Sequence, residues 1–204
     1  MTEKGNCMTK REEQKRATRE KLLASAAACF AEKGYAGCSV ADIVAKAAVS
    51  QGTLYVHFTN KEALFTAMIA EEHRQGAEKA RRAADSTPYI QGIINVLTDC
   101  IRDVGFPIDH RLWTEILAVA ARDQTVRAAF AASDKIMRAA FIELLEKAAR
   151  AGEIDSSLDF DAVSVWLYAL VDGLIARTAD DADFDFKKHA TIFETLVRRA
   201  LRPA

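Results

Sequence analysis

Apolar residues recur at spacings of three and four along almost the whole chain, and two-residue alternation is nearly absent. Strands need the second rhythm and amphipathic helices the first, so the fold class is all-α. Only three prolines interrupt 204 residues, of which 50% are apolar, so long helices around a sizeable core are expected.

The first helix is predicted from about residue 9 or 16 to 33, with Leu22, Leu23, Ala26, Ala27 and Phe30 inward and Gly34 as its stop. Ser39 then caps a short helix through Ala47, with Asp42 in its first turn, where the helix dipole favours an acid. After a break at Ala48-Val49, Ser50 caps a second short helix through about Val56. Asn60 opens a long one, apolar at Leu64, Phe65, Met68 and Ile69, which runs to about Ala84 and the break "DSTP". Five more helices follow at about 88–104, 110–121, 123–151, 159–178 and 186–201.

The second short helix carries Ser, Gln, Gly, Thr, Tyr and His together. A core helix would not tolerate that mixture, whereas a helix-turn-helix that reads DNA requires it. Leu54 and Phe58, four apart, anchor the helix, and Gly52 lets its backbone come close to DNA. Ser50 offers a hydroxyl and free amides to a phosphate, Gln51 and Thr53 can reach base edges, and Tyr55, His57 and Lys61 suit the flanking phosphates.

The stretch "LLASAAACFAEKGYAGCSVADIVAKAAVSQGTLYVHFTNKEALF" resembles the N-terminal domain of the tetracycline-repressor (TetR) family, above all in G-T-L-Y-x-H-F-x-x-K-E-x-L-F. The resemblance implies nine helices, a cytoplasmic homodimer on a pseudo-palindromic double-stranded operator, and repression relieved by a small molecule. Activation or ligand-independent regulation is the alternative. It assigns Ser39, Ser50, Gln51, Gly52, Thr53, Tyr55, His57 and Lys61 to DNA. The domains become an N-terminal extension (1–15), a DNA-binding domain (16–76, helix-turn-helix 39–58) and a regulatory domain (77–204). Two departures stand out: Ala48 occupies a turn position where the family usually has Gly, and Gln51 one where a basic residue is frequent.

Charge divides in the same sense. Residues 1–84 hold 14 Lys+Arg against 10 Asp+Glu, net +4; the rest holds 14 against 19, net −5, together −1. By family analogy Phe65, Met68, Leu97, Trp113, Ile116, Met137 and Phe141 are candidates to line a pocket for a largely hydrophobic effector, against plain core packing, the favoured reading of each one singly. Trp166, Leu170, Leu174, Phe193 and Leu196 are candidates for the dimer seam, with Gly173 permitting close helix approach.

The remaining residues argue against other classes. The four cysteines show no CxxC pair; Cys29 reads as a small core residue, and Cys38 or Cys100 is the candidate redox thiol. His73, His110 and His189 have acidic neighbours but no metal-ligand spacing, and there is no nucleophile elbow or phosphate loop. They read as solvated loop residues rather than an enzyme's, with no metal or cofactor implied. A helical interaction module that binds no DNA is a third class. The charged start excludes a signal peptide, and no apolar run approaches the ~18 residues of a bilayer span, so a soluble protein without a membrane partner is expected.

Overall fold

A computed structural model describes residues 9–105 and 107–203. Among these are nine helices and no strand: α1 (Lys10–Gly37), α2 (Val40–Ala47), α3 (Gln51–His57), α4 (Lys61–Ala83), α5 (Tyr89–Arg102), α6 (His110–Arg122), α7 (Gln124–Arg150), α8 (Phe160–Asp180) and α9 (Phe186–Leu201). The chain divides into two compact units after Phe65, so α4 begins in one and continues in the other. The expected boundary at 76/77 lies inside that helix.

Thr9 starts α1 with a reciprocal capping box to Glu12, so the helix reaches into the expected extension; residues 1–8, including Cys7, lie outside the described residues. Gly34 takes φ +69° and kinks α1 where a stop was expected. In the first unit Leu22, Ala26, Phe30, Ile43, Leu54, Leu64 and Phe65 are fully or almost fully buried. Phe30 and Phe65 meet edge to face at 5.2 Å. Two ion pairs, Lys33–Asp42 at 2.6 Å and Lys46–Glu32 at 2.7 Å, join α1 to α2.

Cys29 is buried as expected but is not a lone core residue: it forms a disulfide with Cys38 across the Gly34 corner. Cys38 is therefore no free thiol. Cys100 is free but buried, and burial pushes its thiol up to about 12, which keeps it from the reactive thiolate form.

The second unit packs α8 against α5, α6 and α7, with α9 on α5. By length and composition alone α8 is apolar enough to cross a membrane, a test the expectation did not apply. That expectation counted unbroken apolar runs, whereas this window stays apolar on average with charges inside it. Core helices pass the same test, and Leu167, Tyr168, Val171 and Ile175 of α8 are buried within the unit.

Candidate DNA-reading surface and effector cavity

The corner between α2 and α3 is built by two serine caps and one left-handed residue. Ser39 Oγ accepts from Asp42 N at 3.1 Å, and Asp42 Oδ2 accepts from Ser39 N at 2.9 Å. The hydrogen bond from Lys33, followed by those from Ser39, holds the Asp42 carboxyl far below the usual carboxylate range. Ala48 then takes φ +49°, ψ +48°, the left-handed conformation that ends α2 and turns the chain towards Ser50. Ser50 Oγ caps α3 by accepting from Thr53 N at 3.0 Å.

That turn leaves α3 with two unlike faces. Leu54 and Phe58 are sunk in the unit, while Gln51, Gly52 and Tyr55 are exposed and Thr53 and His57 half-buried. A Cβ added to Gly52 would meet only Ser50 Oγ at 3.7 Å, so internal packing does not require a glycine there.

Lys61 stands apart from the other expected DNA contacts. Its Nζ donates to the carbonyls of Tyr35 at 2.7 Å and Cys38 at 3.0 Å, and lies 4.4 Å from the centre of the Tyr35 ring. It clamps the α1–α2 corner. Two other cations approach α3 instead, Lys15 and Arg19, one turn apart on α1. Arg19 lies over the Phe58 ring at 5.4 Å. The His57 pKa is lowered chiefly by burial, then by the charges of Lys15 and Arg19. The sequence reading missed this pair; the basic excess of residues 1–84 and the i,i+4 spacing were the signals available.

The second unit contains a cavity of about 310 Å³ between α4, α6, α7 and α8. Its aromatic wall is His73, Trp113, Phe130 and Tyr168; Asp134, Arg138 and Asp172 supply its charges, and Met137, Val165 and Ala169 complete it. Larger grooves exist, such as one of about 510 Å³ beside Arg111, Gly173 and Arg177, but those three residues are exposed.

Polar side chains inside the cavity are tightly held. Trp113 Nε1 donates to Asp172 Oδ1 at 2.9 Å, and Arg138 donates to Asp134 Oδ2 and Ser164 Oγ, both at 3.1 Å. His73 Nδ1 lies 2.7 Å from Ser133 Oγ, which is itself 3.1 Å from the carbonyls of Ala129 and Phe130. Carbonyls only accept, so a hydroxyl proton shared with them leaves Oγ to accept from His73 Nδ1–H, and Nε2 is then a bare acceptor. His73 Nε2, Tyr168 OH and Glu72 Oε2 are buried without a hydrogen-bond partner among the described residues.

Glu72 Oε2 lies 3.7 Å from His73 Nε2, yet the two do not form an ion pair at neutral pH. Burial raises the Glu72 carboxyl to about 8 and lowers the His73 imidazole to about 4, so both are uncharged. Burial also raises Asp172, against the bond from Trp113.

Residues 22–68 match bacterial regulatory proteins of the tetR family, and residues 96–202 match the C-terminal region of BetI-type transcriptional repressors. The chain belongs to the TetR family. The repressor AcnR of Corynebacterium diphtheriae is 28% identical over 171 residues, covering 82% of this chain and 84% of AcnR. Salmonella enterica GusR superposes with a TM-score of 0.76 at 25% identity, covering 91% of this chain and 95% of that one. Bacillus subtilis FadR, solved with stearoyl-CoA, gives 0.75 at 19% identity over 89% and 98%, a likeness of fold. This TetR-family chain is a helix-turn-helix regulator of transcription, and its relatives are regulators, not enzymes.

Within that family frame the expected residues separate. Trp113 and Met137 line the cavity. Phe65 does not: it belongs to the first unit, its ring 4.5 Å from that of Tyr35. Met68, Leu97, Ile116 and Phe141 are fully buried and absent from the cavity wall, with Phe141 against the Tyr168 ring at 5.2 Å. Of the seam candidates, Trp166, Leu170 and Leu196 are exposed and Leu174 half-buried. Phe193 is buried against Phe186, and Ile192 beside it faces outward instead.

The three histidines are not alike. His73 is 1% exposed rather than solvated, His110 Nε2 lies 2.7 Å from the Ile101 carbonyl, and His189 stacks on Phe184 at 4.9 Å.

Proposed function

We propose that this chain represses transcription as a homodimer on a pseudo-palindromic operator and leaves DNA when a small molecule fills the 310 Å³ cavity. The division of α3 carries the first part: Leu54 and Phe58 fix the helix while Gln51, Gly52, Thr53 and Tyr55 remain available to a major groove. Ser39, Ser50, His57, Lys15 and Arg19 serve neighbouring phosphates. Exposed apolar stripes on α8 (Trp166, Leu170) and α9 (Ile192, Leu196) support the homodimer, and nothing lies within 4 Å of a Cβ at Gly173, so a second helix can approach there.

The effector acts by differential affinity: it binds the DNA-incompetent arrangement more tightly and so shifts the population. A genome-wide footprint of the purified full chain tests the reading. Half-sites about one helical turn, ~34 Å, apart are expected. Uniform binding without sequence preference would refute it. Sedimentation of a Trp166→Glu, Leu196→Glu double variant should show monomers that lose the operator; a double variant that stayed dimeric would place the seam elsewhere.

A further inference from the structure

We infer that the cavity between α4, α6, α7 and α8 takes a protonated amine, a compact primary or secondary ammonium on an aromatic or apolar body. The inference rests on the effector-released reading above and names the ligand class for that site.

The charges in the wall point this way. Asp134 and Asp172 are acidic, and Arg138 is the one permanently cationic side chain in the wall among the described residues. Its charge is already paired with Asp134 through Nε, and one Nη1 donor is on Ser164. That leaves Asp172, whose Oδ1 takes the Trp113 N–H and whose Oδ2 accepts no hydrogen bond among the described residues. An anionic ligand would meet this acidic side chain in a wall whose one permanent cation is already balanced by Asp134.

The uncharged groups of the wall add no cation that would oppose an ammonium. His73 and Tyr168 line the cavity with their rings, while His73 Nε2 and Tyr168 OH are themselves fully buried without a hydrogen-bond partner, the neutral Glu72 carboxyl standing 3.7 Å from Nε2. An ammonium offers Asp172 Oδ2 a charged N–H donor, which a quaternary nitrogen lacks and a hydroxyl supplies only without the charge. Because the imidazole is held neutral, no second positive charge competes with the ligand.

The remaining wall suits a cation with an apolar tail. Trp113 and Phe130 lie 5.8 Å apart and His73 is 4.8 Å from Phe130, so ring faces and edges surround the space. A volume of about 310 Å³ holds a small ligand, at the lower end of ordinary pockets.

Calorimetry on the full-length chain tests this with phenyl–(CH2)n–NH3⁺ probes, n from one to three. Each is compared with its alcohol, its carboxylate and its N-trimethyl form. At least one amine should bind at least about tenfold more tightly than all three counterparts, a difference of about 1.4 kcal/mol. Asp172→Asn, which keeps an oxygen for Trp113 N–H, should collapse the amine-over-alcohol ratio towards one. Asp134→Asn is the second variant should Asp172→Asn misfold by circular dichroism, and it should reduce the same ratio.

An alcohol or carboxylate that matched the amine, a ratio untouched by both variants, or no amine binding at millimolar concentration would each overturn the assignment. Operator binding is measured separately without ligand. A chain that holds its operator but rejects amines fails only here; one that takes amines but no operator refutes the regulator reading and leaves the ligand class standing.

Discussion

Ala48 is the only non-glycine residue with positive φ among the described residues, and replacing it by glycine isolates the cost of that backbone. An L-residue in this region carries about 1–2 kcal/mol of steric strain. Glycine removes the strain but loses about 0.5–1 kcal/mol more entropy on folding. The Ala48 side chain is exposed, so no packing is lost with the methyl. The difference lies between zero and about 1.5 kcal/mol in favour of Ala48→Gly.

The assay must report on the first unit. Both tryptophans, Trp113 and Trp166, belong to the second, so indole fluorescence serves as the internal control. Amide exchange at Ile43, Val44 and Leu54, all buried, reads the unit directly, and each 1.4 kcal/mol slows it about tenfold. Ala47→Gly provides the contrast. Ala47 is fully buried in right-handed α2, and there glycine should cost about 1 kcal/mol or more. Faster exchange in Ala48→Gly, comparable with that in Ala47→Gly, would refute the left-handed corner and the argument built on it.

Gly52→Ala should fold as well as the parent, or better by up to about 1 kcal/mol, yet lose operator affinity by about tenfold or more in gel shifts. Lys15→Ala and Arg19→Ala should each lower the salt slope of DNA binding by about one, whereas Lys61→Ala should mainly reduce thermal stability. Urea midpoints should fall as pH rises from 6.5 to about 8, because folded Glu72 keeps a proton that the unfolded chain has released; Lys79 opposes this rise in its pKa, and Asp172 and Asp134 favour it. Below 6.5, where the unfolded chain protonates His73 and the folded one does not until about 4, the two effects oppose each other, and Glu72→Gln should flatten the upper limb. Tyr168→Phe removes a buried hydroxyl without a partner, so it should raise the melting temperature; a lowered melting temperature would show that the hydroxyl is already satisfied.

The helices were legible because caps and breakers mark them chemically. Ser39, Ser50 and Asp42 announce their roles within four residues of chain, and the left-handed demand at Ala48 follows from the short turn it must close. Phase around a helix is a different matter. On α9, Phe186, Phe193, Val197 and Leu201 form one apolar stripe, and Ile192 and Leu196 form another beside it. Both have helical spacing, and only the position of α5 decides which one becomes core. The cavity was hidden for a related reason: His73, Trp113, Asp134 and Asp172 lie on four separate helices, and each alone reads as surface or core. The disulfide was equally invisible, since the kink at Gly34 is what brings Cys29 and Cys38 together.

The two units treat their polar groups in opposite ways, and the contrast bears on mechanism. In the first unit the Ser39, Ser50 and Asp42 side chains cap helices at the surface, where water can replace any partner that is lost. In the second unit, polar atoms of His73 and Tyr168 are buried without partners, at about 1–3 kcal/mol each. Phenylalanine at either position would keep much of the volume without that cost. An arrangement that satisfied both atoms would gain about 2–6 kcal/mol, and carrying a two-state equilibrium from 1:99 to 99:1 needs about 5.5 kcal/mol. Only the part of that energy present in one arrangement and absent in the other can move the equilibrium. His73 is on α4, the helix that begins in the first unit with Lys61. Coupling by this route requires the unpartnered atoms to be filled in the DNA-free state and unfilled on the operator.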